Sequence, residues 1–440
     1  MKDSGEFLIR SYVGATRVAR PLVRGLVHWR RIKGKEHEER WRERLGEASL
    51  PTPAAPVVWV HAASVGETVA VMPLIYRIAA TGVGVVLTTV TLASATLVAG
   101  RLPRGVCHQF VPLDIAPYVD RFLATWDPQL AIFVESEIWP VTIARLDARN
   151  VPLVVCNARM SPRSFAGWRR WPALSHAVFS RIRHCLAQSD ADADRFRQLG
   201  APRVSTIGNI KFDAPVPEAS RTVAEALSAS IDGRPVFLAA STHPGEEDIV
   251  LDAFTRALSR NADLLLILAP RHPARGPDVA GLASGHGLRT ALRSIGALPE
   301  RGTQVYVADT VGELGTLYRL ARVAFIGGSL NPRIGGHNPI EPGGLGTAVV
   351  AGPNVGNWSE IYEALKAESA LTEVRDATEL FDAVDRLVNL DNTRQRQAEA
   401  ARRVVARFSG ALARTQAAID PLIDPLIVSA RLARRMPGPA

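Results

Sequence analysis

Cysteine is nearly absent. Only Cys107, Cys156 and Cys185 occur in 440 residues, widely spaced and without a CxxC pair. So sparse and odd a set excludes a disulfide framework and a cysteine-built metal centre, and fits a reducing compartment. No apolar run reaches the roughly 18 to 20 residues that a membrane span needs. There is no Walker loop, no GxSxG elbow and no GxGxxG turn; "GVGVV" at 82–86 is only a glycine-bearing strand start. Nucleotide hydrolysis on a P-loop, acyl transfer and hydride transfer therefore lose ground. The acidic triplet "DADAD", Asp190 to Asp194, follows Ser189 at an apparent helix start, where acids complement the helix dipole, so no metal is expected. No repeat of short period is visible.

What the chain does have is an excess of positive charge, net +9. Such a balance favours an anionic partner. From Phe7 to Lys35 the charged residues are Arg10, Arg17, Arg20, Arg24, Arg30, Arg31, Lys33 and Lys35, with no acid among them. Between them lie Phe7, Leu8, Ile9, Val18, Leu22, Leu26 and Trp29. Arginines break the apolar part too often for a signal peptide. A basic, apolar, tryptophan-bearing helix suits an anionic membrane surface. Nucleic acid is not expected, since no binding motif interleaves aromatic and basic residues elsewhere.

Residues 36–47 read as a short charged helix, and "ASLPTPAAP" after them as a connector. Apolar runs rich in valine and isoleucine follow at 57–63, 83–90, 106–111, 129–134, 152–156, 183–187 and 204–207, separated by segments of helical spacing. Continuous apolar strands alternating with helices predict a parallel sheet covered on both faces. After a proline-bearing stretch the alternation restarts at 235–240, 264–269, 304–309, 322–327, 347–351 and 370–374. The expected class is α/β, with two doubly wound domains facing a cleft. The expected divisions are a basic N-terminal segment 1–48, a first domain 49–212, a linker 213–234 with one helix near 220–230, a second domain 235–420 and a basic tail 421–440. A long basic helix is expected over 392–415, and a frayed end beyond it.

Ligands of such sheets bind at the carboxyl ends of the strands. The first run ends in Ser64-Val65-Gly66-Glu67, which is the pattern of a helix capping box and equally a place for a base. The fourth ends in "ESEIWP", Glu135 to Pro140, the fifth in Asn157-Ala158-Arg159, and the seventh in "GNIKFD" with Lys211 and Asp213. Carboxylates gathered in a cleft suit general-base work. In the second half the strand ends carry "STHPGEED", Pro270-Arg271-His272, "DTVGEL" and the glycine-rich "GGSLNPRIGGHNPIEPGG". Helix N-termini together with Arg271 predict a phosphate site there. His337 reads as a possible cap of the helix that follows.

Taken together, "RWRERLG", "HAASVGET", "VPLDIAPYVDRFL", "VESEIWP", "LVVCNARMSPRS", "GNIKFD", "STHPGEE", "LLLILAPRHP", "DTVGELGTLY" and "GGSLNPRIGGHNPIEPGGLG" resemble, in order, the 3-deoxy-D-manno-octulosonic acid (Kdo) transferases of lipopolysaccharide biosynthesis. The resemblance runs from about Arg40 to near the end. It implies two Rossmann-like domains of the glycosyltransferase B type. It also implies a metal-independent, inverting transfer of Kdo from CMP-Kdo to a phosphorylated lipid A precursor (lipid IVA), without a cofactor, at the cytoplasmic face of the inner membrane. By motif, Glu67 matches the proton acceptor. Glu135 and Lys211 match residues assigned to transition-state stabilisation. Pro270, Arg271, Val311, Gly312, Glu313, Asn338, Pro339, Ile340 and Glu341 match the segments that bind CMP.

Three departures from the family pattern stand out: arginines in the N-terminal anchor, "TVTLASAT" after the second strand, and Val141 where the family carries asparagine. A UDP-sugar transferase of the same fold, or a membrane scaffold without catalysis, are the alternatives. The expectation for Glu67 is that it faces the open cleft, not its own helix, when donor is bound.

Overall fold

In the computed structural model, residues 2–53, 56–213 and 219–435 are described. The chain forms two compact units, Met1–Ala214 with Ser409–Ala440, and Pro215–Phe408. Each holds a seven-stranded sheet in which every pairing is parallel.

The strands of the first sheet are β1 (Val57–His61), β2 (Gly84–Thr89), β3 (Val106–Phe110), β4 (Pro128–Val134), β5 (Leu153–Ala158), β6 (His184–Ala187) and β7 (Val204–Thr206), in the order β3-β2-β1-β4-β5-β6-β7. β1, β2 and β6 are buried along their whole length, as their unbroken apolar runs require. One face packs Trp59 against Phe122 and Phe133, with ring centroids 4.5 and 4.8 Å away. The other face buries Val58, Val60, Leu74 and Ile75 with Ile419 and Ile423 of the C-terminal helix.

The second sheet contains β8 (Val236–Thr242), β9 (Leu265–Pro270), β10 (Thr290–Leu292), β11 (Val305–Val307), β12 (Val323–Ile326), β13 (Ala348–Ala351) and β14 (Leu371–Glu373), ordered β10-β11-β9-β8-β12-β13-β14. Its core gathers Phe237, Phe254, Leu266, Leu268, Phe325 and Val350. Winding reverses between β1 and β4 in one unit and between β8 and β12 in the other.

Thirteen strands fall where the apolar runs placed them, within one or two residues at most ends. The fourteenth, β10, has three half-buried residues at a sheet edge and carries no valine or isoleucine, so no apolar run marks it. The helix expected near 220–230 is Arg221–Ile231, while 214–218 of the expected linker lie outside the described residues. The charged stretch 36–47 holds a 3₁₀ turn, Arg40–Leu45. There the buried Glu43 accepts the Phe110 N–H at 2.7 Å and pairs with Arg40 at 2.8 Å, fastening the turn to β3.

The expected division of the C-terminal part is corrected. The single long helix over 392–415 is broken at Gly410, which has φ 87°. Helix Asp391–Phe408 belongs to the second unit and helix Ala411–Arg435 to the first. The described part of the tail is therefore helical, not frayed; 436–440 lie outside the described residues. Its anchor is Asp213, whose carboxylate accepts the N–H groups of Gly410 and Leu412, each at 2.6 Å. Arg77 adds a two-pronged pair to Asp420 at 2.7 and 2.9 Å.

The N-terminal helix, Lys2–Ile32, packs Ile9 and Val27 into the first unit. Among the described residues no helix is long and apolar enough to cross a membrane.

Asp213→Ala leaves two helix-end N–H groups without their acceptor. The first unit should lose about 1–3 kcal/mol, read as a lower denaturant midpoint. An unchanged midpoint would show that the C-terminal helix docks without this cap.

Candidate functional site

Both places where winding reverses are lined by residues singled out in the sequence. In the first unit, β1 runs into Ser64, which caps helix Val65–Ala80, and β4 runs into Glu135. The Ser64 hydroxyl donates to Glu67 Oε1 and the Ala63 N–H to Oε2, both at 2.7 Å. The Glu67 N–H returns a bond to Ser64 Oγ at 3.3 Å. This is a capping box with its frame shifted by one residue, since Ala63, not Ser64, supplies the backbone N–H. Glu67 is only 8% exposed, so its carboxylate is turned onto its own helix end and not outward. Burial pushes its pKa up. The two hydrogen bonds oppose that shift, the neighbouring Glu135 and Glu137 reinforce it, and the net result is above the usual carboxylate range.

Glu135 sits at φ 63°, an unusual conformation for a side-chain-bearing residue. It forms an ion pair with Lys211. Lys211 is set in place from below. The buried Asn157 accepts the Ile210 N–H at 3.0 Å, and Asn209 accepts the Lys211 N–H at 3.0 Å. A Cβ on Gly66 would lie 4.0 Å from the Lys211 Nζ, an ordinary contact. The structure thus brings Glu67, Glu135 and Lys211 to one rim. Asp213, which shared that strand end in the sequence reading, is occupied as a helix cap, and Asn157 is a bracket for the turn.

No local sequence pattern marks His61. It is fully buried in β1, with Nδ1 2.9 Å from Thr88 Oγ1 and Nε2 3.4 Å from Glu137 Oε2. The Trp139 indole also donates to Glu137, at 2.8 Å. Burial acts to raise the Glu137 pKa, but His61 and Trp139 outweigh it and hold the carboxyl low. Glu137 stays ionised and beside Glu67, where its charge helps to keep Glu67 basic.

In the second unit the reversal lies between the loop after β8 and the glycine-rich loop after β12. The two chains leave their strands almost in contact. A Cβ on Gly327 would fall 2.4 Å from the Ser241 carbonyl oxygen, so only glycine fits. Glu246, 2% exposed, ties the two loops together. Its carboxylate accepts the N–H groups of His243 at 3.0 Å, Gly328 at 2.7 Å and Leu330 at 3.1 Å.

Pro270 ends β9, and Arg271 after it is exposed with no side-chain hydrogen bond or ion pair among the described residues. Glu313 is not free. Arg293 grips it with two bonds, at 3.2 and 2.9 Å, and Thr310 donates to it at 2.5 Å. Those bonds hold Glu313 below the usual carboxylate range and leave the adjoining Val311 and Gly312 to present backbone, with Val311 85% exposed. Asn338 accepts the Ile340 N–H at 3.0 Å and donates to Glu341 at 3.1 Å. Pro339, not His337, stands at the N-cap position of the short helix Ile340–Leu345, without a side-chain cap, and is buried with Ile340. Burial raises the Glu341 pKa.

Residues 39–214 match the family model described as 3-Deoxy-D-manno-octulosonic-acid transferase (kdotransferase). The chain is 33% identical to the 3-deoxy-D-manno-octulosonic acid transferase of Haemophilus influenzae, over 94% of this chain and 98% of that one. It is 35% identical to that of Bordetella pertussis, over 93% and 98%. It is also 35% identical to the probable mitochondrial 3-deoxy-D-manno-octulosonic acid transferase of Arabidopsis thaliana, over 88% and 89%. The chain belongs to the Kdo transferase family.

Members of that family are glycosyltransferases. The fold agrees with this: a glycosyltransferase from Rickettsia africae aligns with TM-score 0.55 at 13% identity, over 85% of this chain and 99% of that one. At that identity the likeness speaks for architecture alone, two doubly wound domains of the B type.

Within this Kdo transferase family member, Glu246 is the residue whose role spacing could not reveal, because its three partners come from two loops. Glu246→Gln keeps the shape but turns one acceptor oxygen into a donor facing backbone N–H. The second unit should lose about 1–3 kcal/mol, seen as a lower thermal midpoint. Retention of the wild-type midpoint would refute this bracing role.

Proposed function

We propose that the protein transfers Kdo from CMP-Kdo to the phosphorylated lipid A precursor lipid IVA, with inversion at the anomeric carbon. Family membership supports the sugar, and the glutamate–lysine rim at the β1/β4 reversal supports the chemistry. The first unit takes the acceptor and the second takes the donor.

A sugar hydroxyl is a poor nucleophile without a base. Glu67 removes its proton as the glycosidic bond forms. Its cap does not prevent this: a carboxylate has about four lone-pair sites, and the structure commits two of them to Ala63 and Ser64. Raised basicity improves Glu67 as an acceptor while it remains ionised near neutral pH. The departing CMP gathers negative charge on its phosphate, and the carbon it leaves becomes oxocarbenium-like. Glu135 offsets the positive carbon, and Lys211 holds Glu135 in place and adds a cation. Arg271 meets the phosphate. Asn338, Glu341 and the backbone of Val311 and Gly312 hold the rest of the nucleotide. Charge is met by side chains, so no metal is required.

The test is mass spectrometry of the product made from CMP-Kdo and lipid IVA by purified protein. It should show added Kdo, and EDTA should leave the rate unchanged; absence of the product with CMP-Kdo, or turnover with a UDP-sugar instead, would overturn the reading. Glu67→Gln should fold normally and lose about 10²- to 10⁴-fold in rate. The wild-type rate should fall as pH drops through the raised Glu67 pKa, so the acid limb lies above the ordinary carboxylate range, and it should vanish in Glu67→Gln.

The place of action is the inner-membrane surface. The outer side of the N-terminal helix exposes Phe7 (70%), Val18 (81%) and Leu22 (80%) among exposed Arg10, Arg17 and Arg24. Such a face suits an anionic interface. Removing the helix would also remove Ile9 and Val27 from the core, so substitution is the cleaner test. Changing Phe7, Val18, Leu22 and Trp29 together to serine should weaken binding to anionic vesicles without lowering the thermal midpoint. Equal binding would reject the interfacial role.

A further inference from the structure

The second sheet's reversal carries two imidazoles that the donor assignment does not use. His243 comes from the loop after β8 and His337 from the glycine-rich loop after β12. Their Nε2 atoms lie 2.8 Å apart, with rings nearly parallel at 9° and centroids 5.1 Å apart. At that separation one nitrogen must carry the hydrogen and the other must accept it. Neither Nδ1 makes a hydrogen bond among the described residues.

The pair stands in cationic surroundings. Arg271, His272 and Arg275 act on His243, opposed by Glu247, and Arg271 and His272 act on His337. Glu247 is itself paired with Arg275 at 2.7 Å. Glu246 faces the backbone of His243 and not its ring, and the Tyr362 hydroxyl is spent on the His337 carbonyl at 3.0 Å. The His272 ring is edge-on to His243 at 6.1 Å and does not join the pair. No side chain caps the neighbouring helix Glu246–Leu258 at Gly245; of the three acids in its first turn, Glu246 is spent on backbone N–H groups, Glu247 on Arg275, and Asp248 is exposed.

We propose that His243 and His337 form a phosphate-binding imidazole pair that takes up one proton from solvent when the donor nucleotide binds. In the neutral pair one Nδ1 carries hydrogen and the other is a lone pair. Adding a single proton to that lone pair leaves the N–H···N bridge intact and turns both Nδ1 atoms into donors. A second proton would break the bridge and set two cations side by side. The uptake is therefore limited to one.

The ring charges agree. Burial first, and then the neighbouring imidazoles and Arg271, push His337 down to about 4. Burial first, and then His272 and Arg271, lower His243 as well. At neutral pH the pair is neutral until an anion arrives to balance the charge. Nucleotide affinity then falls by up to about tenfold per pH unit between the pH at which the free pair loses its proton and the higher pH at which the bound pair does, and levels off above that.

This inference rests on the assignment of the donor as a CMP-sugar, and the experiment separates the two. CMP is titrated into the full chain by calorimetry at about pH 7.5, where its own phosphate, with second pKa near 6, is already a dianion. The titration is repeated in two buffers of different ionisation enthalpy. The expected result is binding with uptake of about one proton per nucleotide. His337→Asn and His243→Asn should bind CMP about tenfold or more weakly and lose the uptake. His272→Asn should retain it. No binding of CMP by the wild type would refute the donor assignment. Binding of CMP by the wild type with the same heat in both buffers would refute the imidazole pair alone, whatever the variants do. Uptake that survives in both His337→Asn and His243→Asn would do the same.

Discussion

A parallel sheet wound in both directions from its first strand leaves a crevice where the winding reverses, because the two connections depart to opposite faces. In this protein that crevice arises twice, beside β1 and beside β8. Each gathers ionisable side chains of its unit. Glu67, Glu135 and, through Asn157, Lys211 collect at one; His243, His337 and Glu246 collect at the other. None of these groupings requires proximity in sequence. They follow from which strands lie next to each other.

The loops that leave these strands must satisfy their own backbone donors, since a buried N–H without a partner is costly. The protein does this with buried polar side chains. Glu43 serves Phe110, Asn157 serves Ile210, Asp213 serves Gly410 and Leu412, and Glu246 serves three N–H groups from two loops. Glu67 belongs to the same set through Ala63. Its cap orients the carboxylate, and the nearby carboxylates keep it basic. One carboxylate thus serves the backbone and keeps a raised pKa.

Most of the fold was legible. Apolar runs rich in valine and isoleucine mark thirteen of the fourteen strands among the described residues, and helical spacing marks what lies between. Two features were hidden for physical reasons. β10, Thr290–Leu292, pairs at a sheet edge without a valine or isoleucine to mark it. The return of the C-terminal helix to the first unit depends on Asp213 and on the packing of Ile419 and Ile423 against the first sheet, not on any local signal. Of the candidate site, strand-end position marks Glu67, Glu135, Lys211 and Arg271, while the partners of His61, His243 and Glu246 lie far along the chain and no local pattern marks them.

What the sequence determined by itself was the alternation of strand and helix, the two-unit α/β class and the kinds of side chain at each strand end. These depend on hydrophobic period and on spacing, which are local. Only the tertiary structure decided which acid caps, which braces and which is left basic. Asp213 and Glu67 look alike as strand-end carboxylates, yet one holds a helix 197 residues away and the other its own helix end. The imidazole pair is the extreme case, joined across 94 residues. Whether two such groups meet depends on strand order and loop closure, which no single stretch of sequence carries.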